Sequence, residues 1–316
     1  MTCYIHEHDP SSIDNLTPQA YITCMNKLSN VQRARILMSL IEGNSIASTC
    51  RMTGAAKMTV LSLIREVGAA CERFHDANVR YLGTERVQCD EVWSFCYAKE
   101  KNVPEELKGK GFGSIWTWTA IDADSKLMIS WLASDRSQEA ADALIADLKS
   151  RTMMRLQVSS DGLSLYLDAI AKSFRYGECD YGEVIKVYGT SNPQPSMNPN
   201  TAASRYSPGR LKSVEKHPRF GMPEDKHIST SYMERWNLTL RMGNRRFTRL
   251  TNGFSKKIEN HRFMLAITVV FYNFCRKHRS LGGRTPAMAA GLTDYAWTAS
   301  DMLSLNLWTP VVTTAA

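Results

Sequence analysis

The sequence predicts an α/β fold, a mixed sheet preceded by an all-α N-terminal unit. Three observations lead there. Between residues 31 and 67 apolar side chains recur at three- and four-residue spacing, interrupted at Gly43 and Gly54, which is helical periodicity broken by turns. After Gly83 the period changes, and the runs 86–97, 115–121 and 126–132 are rich in strand formers with no helix between them. From Ser137 onward helical and strand patterns alternate.

Residues 1–30 are polar and contain Pro10 and Pro18, and are expected to be a flexible arm. Val31, Ala34, Leu37, Leu40 and Ile41 mark a first helix, ended by Gly43-Asn44. Ser45 is placed to cap a short second helix reaching Met52, and Gly54 makes the next turn. A third helix fits 55–67, with Val60, Leu61, Ile64 and Val67 inward, and 69–83 reads as a connecting helix. Helix, short helix, glycine turn, helix is helix-turn-helix spacing. Residues 31–83 are therefore expected to be a DNA-binding unit. Lys57, Thr59, Ser62 and Arg65 lie on the outer face of its third helix, where a recognition helix offers polar groups to bases and phosphates. A plain three-helix packing unit is the alternative.

The main domain is expected over 84–284. Asp122-Ala123-Asp124-Ser125 is a turn joining the second and third strands. A helix over 137–149 turns Ala140, Ala143, Leu144 and Leu148 inward. A buried strand over 156–160 stops at Asp161-Gly162, and a helix over 163–174 leads to a fifth strand at 183–188. Three sequential strands make an antiparallel meander, and strands entered through helical crossovers pair in parallel. This order is the ribonuclease H-like arrangement, by fold-level analogy. Residues 189–226 hold six of the eleven prolines, and a loop this long in a compact domain is functional or disordered. Helices follow at 229–242 and 256–274, the second with a core-type stripe of Ile258, Phe263, Ala266, Ile267, Val270 and Phe274. Thr285-Pro286 opens a C-terminal helix and tail over 285–316.

Several classes are not expected. The longest apolar stretch, Phe263–Tyr272, spans ten residues, whereas a membrane helix needs roughly 20. The N-terminus lacks the basic and apolar regions of a secretory signal. Eight cysteines form no C-x-x-C pair and read as buried hydrophobes of a reducing cytoplasm. His217, His227, His261 and His278 lack metal-ligand spacing. Gly109–Gly113 lacks the phosphate-loop frame and precedes a strand.

Charge and acids point to nucleic acid. The formal net charge is +8 and the pI near 9.0, but residues 205–284 hold 18 Lys and Arg against 5 Asp and Glu. The remainder is slightly acidic. Asp90 lies in an apolar strand, where an unpaired carboxylate is costly. Asp161 ends the fourth strand, where ligand sites collect. Glu234 lies on the helix after the insertion and shares a face with Asn237 and Arg241. In a ribonuclease H-like sheet the first and fourth strands are neighbours, and a helix across their ends brings a third carboxylate. Such a trio suits Mg²⁺ or Mn²⁺, two ions about 4 Å apart. Glu91 alternates to the opposite face and is expected to be a surface or ion-pair residue.

The motifs C-D-E-V-W at 89–93, W-T-W-T-A-I-D-A-D at 116–124, S-D-G at 160–162 and S-Y-M-E-R-W-N-L-T-L-R at 231–241 carry a resemblance. R-R-F-T-R-L-T-N-G-F-S-K-K at 245–257 and Y-N-F-C-R-K-H-R-S-L at 272–281 extend it. From about Val31 to Asp301 the chain resembles transposases of the bacterial insertion-sequence-one family, in the Asp-Asp-Glu group. The resemblance implies Asp90, Asp161 and Glu234 as catalytic, metal-holding acids, with Asn237 and Arg241 downstream. It implies water attack on DNA at element ends, then attack of the freed 3′-OH on target DNA, with Mg²⁺ at both steps. It also implies a helix-turn-helix reading terminal inverted repeats, a homo-oligomer on double-stranded DNA, and a bacterial, nucleoid-associated protein. The chain lacks the paired zinc-binding cysteines of some members, and its Asp161-to-Glu234 gap is longer than in compact ones. Arg245, Arg246, Arg249, Lys256 and Lys257 are the expected phosphate contacts. A non-catalytic DNA-binding regulator, or a nuclease without strand transfer, is the alternative.

Overall fold

The computed structural model describes residues 28–189, 211–249 and 251–305. The expected arm, apart from its last three residues, and the end of the tail lie outside them. Helix α1 (Asn30–Ile41) starts at a capping box in which the Ser29 hydroxyl accepts from the Gln32 N–H at 3.3 Å. Helix α2 (Ile46–Thr53) is capped by Ser45 and ends at Gly54, whose φ of +72° is left-handed. The third helix and the connecting helix expected from the sequence are one continuous helix, α3 (Lys57–Asn78).

Gly68 sits inside α3, where glycine costs about 1 kcal/mol relative to alanine. Its use is a close crossing with α7 (Ile258–Val270): a Cβ there would lie 2.3 Å from the Phe263 Cβ and 2.8 Å from its Cα. Gly68→Ala is therefore expected to destabilise the fold by roughly 1–3 kcal/mol through overpacking, read as a lowered urea midpoint. An increase in stability would mean that helix propensity outweighs the crossing. The same packing joins the N-terminal helices to the rest, because Ile36, Leu37, Val60, Ile64 and Val67 share one apolar core with the sheet.

The sheet is formed by β1 (Arg86–Cys96), β2 (Gly113–Asp122), β3 (Met128–Ser134), β4 (Leu156–Asp161), β5 (Cys179–Tyr188) and β6 (Leu211–Phe220), in the order β3-β2-β1-β4-β5-β6. The meander β1–β2–β3 is antiparallel, and β1–β4 and β4–β5 are parallel. Helix α4 (Gln138–Arg151) leads to β4, and α5 (Leu165–Ser173) leads to β5. This is the expected ribonuclease H-like mixed sheet, extended by one strand. Beyond it come α6 (Ser231–Gly243), α7, and the short α8 (Pro286–Ala289) and α9 (Ala299–Ser304).

That extra strand corrects one expectation. Within the proline-rich 189–226 segment, residues 211–220 form β6, antiparallel to β5, with Pro218 opposite Gly182 beside a register shift. An edge strand is paired on one side only, so it tolerates proline and charge, and Lys212, Glu215, Lys216 and Arg219 disguise it in the sequence. Residues 190–210 of that segment lie outside the described residues.

Both faces of the sheet are covered. Val92 and Met128 pack with Met233, Trp236 and Leu240 of α6 and Leu265 of α7. Val87, Cys89 and Trp118 join the larger core with Leu144 of α4 and Tyr166 of α5. Among the described residues no helix is long and apolar enough to cross a membrane.

Candidate active site

Three carboxylates converge where β1 and β4 part. Their ladder runs Arg86↔Gln157, Val87↔Val158, Gln88↔Ser159 and stops, two residues short of Asp90 and Asp161. There Asp90, Glu91 and Asp161 each bring a carboxylate oxygen within 4.8 Å of the others. The alternation expected along β1 holds: Asp90 turns toward α6, and Glu91 turns toward α5. Because helices cover both faces, the opposite face is not surface. Glu91 is only 9% exposed, which corrects the expectation of a surface residue while keeping that of an ion pair.

Each acid is positioned by named donors. Asp90 Oδ1 accepts from the Glu91 N–H at 2.8 Å, and Oδ2 accepts from Asn237 Nδ2 at 2.6 Å. Glu91 Oε1 accepts from Arg136 Nη2 at 2.5 Å and Nε at 3.1 Å, and Oε2 from the Tyr166 hydroxyl at 3.2 Å. The Arg136 guanidinium also stacks on Trp116, 4.6 Å from the ring centre. Asp161 Oδ1 accepts from the Leu163 N–H at 3.2 Å, closing a turn on Gly162. Helix α6 is anchored to β1 by Gln88, whose Oε1 accepts from the Tyr232 N–H at 2.8 Å and the Met233 N–H at 3.2 Å.

Burial and mutual repulsion shift these acids. Burial first, then the charges of Asp161 and Glu91, push the Asp90 carboxyl up to about 7. Glu91 is raised by burial and then by Asp161, against its bonds to Arg136 and Tyr166. Asp161 is raised chiefly by burial, opposed by the Leu163 N–H and by Arg136. An all-oxygen donor set that resists ionisation unaided is what a hard divalent cation neutralises. Asn237 spends its amide N–H on Asp90 and leaves its buried Oδ1 without a partner. The residues present thus fit Mg²⁺ or Mn²⁺.

Glu234 is not in that group. On α6 it is exposed, and its Oε1 accepts from Lys186 of β5 and, at 2.7 Å, from the Thr230 hydroxyl. Asp90 and Asp161 are thus brought together, while the expected third acid is held by a lysine beside them. Arg241 lies close enough to Asp90 and Arg249 for both charges to act on it, and burial lowers its proton affinity first. Its Nε is buried without a partner.

Among the expected DNA contacts, Lys57, Ser62 and Arg65 are exposed and Thr59 is half-buried. Arg65 Nε donates to Asn260 Oδ1 at 3.3 Å, tying the α3 face to α7. Arg245, Arg249, Lys256 and Lys257 are exposed, with Lys256 Nζ over the Phe254 ring at 3.5 Å. Arg246 is a correction. It is buried, in a short turn with Phe247, and burial pushes its guanidinium down to about 10. The turn that buries Phe247 against His261, ring centres 4.8 Å apart, carries Arg246 inward with it, so it is not placed to meet a phosphate. Arg136, Lys186 and Tyr166 were not expected. Arg136 lies in the loop between β3 and α4, Lys186 on β5 and Tyr166 on α5, so they are joined only by sheet order, and no local spacing marks them.

No protein-family model and no curated protein sequence matches the chain. Among solved structures it is similar to the cryo-EM structure of a piggyBac transposase synaptic complex with hairpin DNA, at 10% identity and TM-score 0.36, covering 90% of this chain and 73% of that one. It is also similar to a pre-cleavage Mos1 transpososome, at 10% identity and TM-score 0.21, covering 77% and 78%. A third neighbour is the Mos1 transposase paired-end complex with the left transposon end, at 10% identity and TM-score 0.20, covering 78% and 77%. These neighbours are transposases, but scores this low carry no functional argument, and what the chain does has to be argued from its own site.

Proposed function

We propose that this chain is a DNA transposase of the Asp-Asp-Glu group, cutting and joining DNA strands with divalent cations. The observation that carries this reading is the meeting of Asp90, Glu91 and Asp161 within 4.8 Å of one another, beside a helix from the most basic segment of the chain. A bound Mg²⁺ or Mn²⁺ supplies Lewis-acid activation of a phosphodiester and of the attacking oxygen. Asp90 and Asp161 would hold it, and Glu91, fixed by Arg136 and Tyr166, would add a third carboxylate. Asn237 orients Asp90 by donating to one oxygen while the Glu91 N–H holds the other. Arg241 stands one helical turn further along α6, where a cation meets a phosphate. Glu234, the acid that the insertion-sequence-one resemblance implicates, is paired with Lys186 and would join the centre only by giving up that partner. Helices α1–α3 supply a helix-turn-helix contact to the element ends through Lys57, Thr59, Ser62 and Arg65.

The test uses the full chain and DNA flanking its own reading frame, with Mn²⁺. Nicked and then joined strands are expected. Asp161→Asn should lower product formation by at least about 10²-fold, since it removes part of a metal contribution worth several kcal/mol, while DNA binding persists. Tight binding with no strand breakage by the wild-type protein would sink the reading in favour of a non-catalytic regulator. Neutralising Arg245, Arg249, Lys256 and Lys257 together should flatten the salt dependence of binding, by roughly 0.9 in log–log slope for each phosphate these side chains neutralise.

A further inference from the structure

On the other flank of α6 lies a cavity of about 310 Å³ whose wall carries Lys126, Arg235, Arg276, Lys277 and Arg279, and no carboxylate. None of these five is in a salt bridge among the described residues, although Lys126 Nζ donates to the Ala123 carbonyl. Gathering unpaired cations in one concavity is unfavourable unless an anion offsets them. A second, independent feature marks the same place. The His278 side chain lines the cavity, and its buried Nε2 has no hydrogen-bond partner. The ring is held edge-on to Tyr272 at 4.8 Å and 89°. The loop carrying Arg276–Arg279 leaves a π-helical turn, Phe271–Cys275, closed by the Arg276 N–H on the Phe271 carbonyl at 3.0 Å. Such widened turns recur at functional sites. Across the cavity, Lys126 Nζ sits 3.1 Å from the centre of the Tyr232 ring.

The helix connects this cavity to the carboxylates. Tyr232, Arg235 and Thr239 line it, at the i, i+3, i+7 spacing of one helical face. Glu234, Asn237 and Arg241 repeat that spacing two residues on, about 200° round the axis, and Asn237 reaches Asp90.

We propose that this cavity is a phosphate-binding pocket that seats a backbone phosphate of a DNA strand, across α6 from the carboxylates. The identity of the ligand rests on the DNA-strand reading above. The exposed guanidinium groups of Arg235, Arg276 and Arg279 give it two-pronged donors for phosphate oxygens.

The experiment is run in EDTA, so that it does not depend on catalysis. Wild-type protein is compared with Arg235→Gln/Arg276→Gln/Arg279→Gln, whose substituted side chains are exposed, and with Lys277→Gln alone. Tripolyphosphate should raise the Tm of the wild type and leave that of the triple variant unmoved. Affinity for a short labelled duplex oligonucleotide should fall at least tenfold, with the log–log salt slope reduced by about 0.9 for the one phosphate no longer neutralised, and Lys277→Gln should show a smaller loss in the same direction. Unchanged Tm response and unchanged slope in the triple variant would overturn the pocket. So would poly-glutamate stabilising the wild type as well as tripolyphosphate does, since that describes a surface for acidic protein. If the pocket responds as expected but Mn²⁺ yields no strand breakage, the transposase reading fails while the phosphate pocket stands.

Discussion

Asp90→Asn is expected to abolish metal-dependent strand cleavage and to raise the stability of the metal-free protein at pH 8. Both effects have one cause. The Asp90 carboxyl is pushed from its ordinary value of 3.8 up to about 7 by burial and by the neighbouring charges of Asp161 and Glu91. A group whose folded pKa lies above its unfolded one binds more protons in the native state. Its contribution is therefore complete below about pH 4 and lost as pH rises through 7. Without metal, the wild-type protein should lose stability across that window, by a few kcal/mol at about 1.4 kcal/mol per tenfold change in proton affinity. Asparagine cannot ionise, so the variant should be flatter across the window and melt higher at pH 8. It can keep both hydrogen bonds: its oxygen accepts from the Glu91 N–H, and a flipped Asn237 amide presents its partnerless Oδ1 to the new N–H₂. Mn²⁺ should stabilise the wild type more at pH 8 than at pH 5, because only the ionised acids bind it, and should stabilise the variant less. Cleavage should fall by roughly 10³-fold or more, the equivalent of about 4 kcal/mol of lost charge stabilisation. Thermal melts at the two pH values, with EDTA and with Mn²⁺, read the stability arm. Parallel pH profiles for wild type and variant would remove Asp90 from the acidic centre.

Much of this site is legible in the sequence, and the illegible part has a physical reason. Asp90 stands out because a carboxylate inside an apolar strand has to be accounted for, and Asp161 because it ends a buried strand. Their meeting follows once three strands and two crossovers put β1 beside β4. Helical spacing puts Asn237 and Arg241 on the face of α6 that meets Asp90. Glu91 escapes because period-two alternation gives the face of a residue but not what covers that face. Here Tyr166 and Arg136 cover it. Lys186 escapes because its pairing with Glu234 joins residues 48 apart through the order of the sheet. The strand β6 escapes because an edge strand needs neither apolar alternation nor freedom from proline. The single long helix α3 reads in the sequence as two helices, 55–67 and 69–83, and Gly68 between them is where the helix meets Phe263.

Glu91→Gln and Glu234→Gln are expected to separate metal affinity from catalysis. Glu91 presents a carboxylate to the other two acids, is buried, and receives Arg136 and Tyr166. Removing its charge leaves one carboxylate fewer at the centre. Mn²⁺ affinity measured without DNA should fall about 10–100-fold, the range for loss of a supporting ligand interaction. The variant should also be less stable, because Arg136 loses a charged partner that is only 2% exposed at its side chain. Glu234 presents a contrasting case. Its carboxylate is committed to Lys186 and Thr230 and lies outside the group of three. The pair is exposed enough, at 31% and 46%, that losing it should change stability by no more than about 1 kcal/mol. On the proposed function, Glu234→Gln should therefore leave Mn²⁺ affinity without DNA unchanged and still abolish strand cleavage, because Glu234 would take part only once substrate and cation displaced Lys186. Lys186→Gln supplies the complement: it frees Glu234 beforehand, so Mn²⁺ should bind more tightly without DNA. A Mn²⁺ titration of the four proteins decides between two orders of events. Loss of affinity in Glu234→Gln but not in Glu91→Gln would mean that the Asp90–Asp161–Glu234 set assembles without DNA and that the Lys186 contact holds nothing back. The opposite pattern means that the resting centre is Asp90–Glu91–Asp161, with Glu234 recruited on demand.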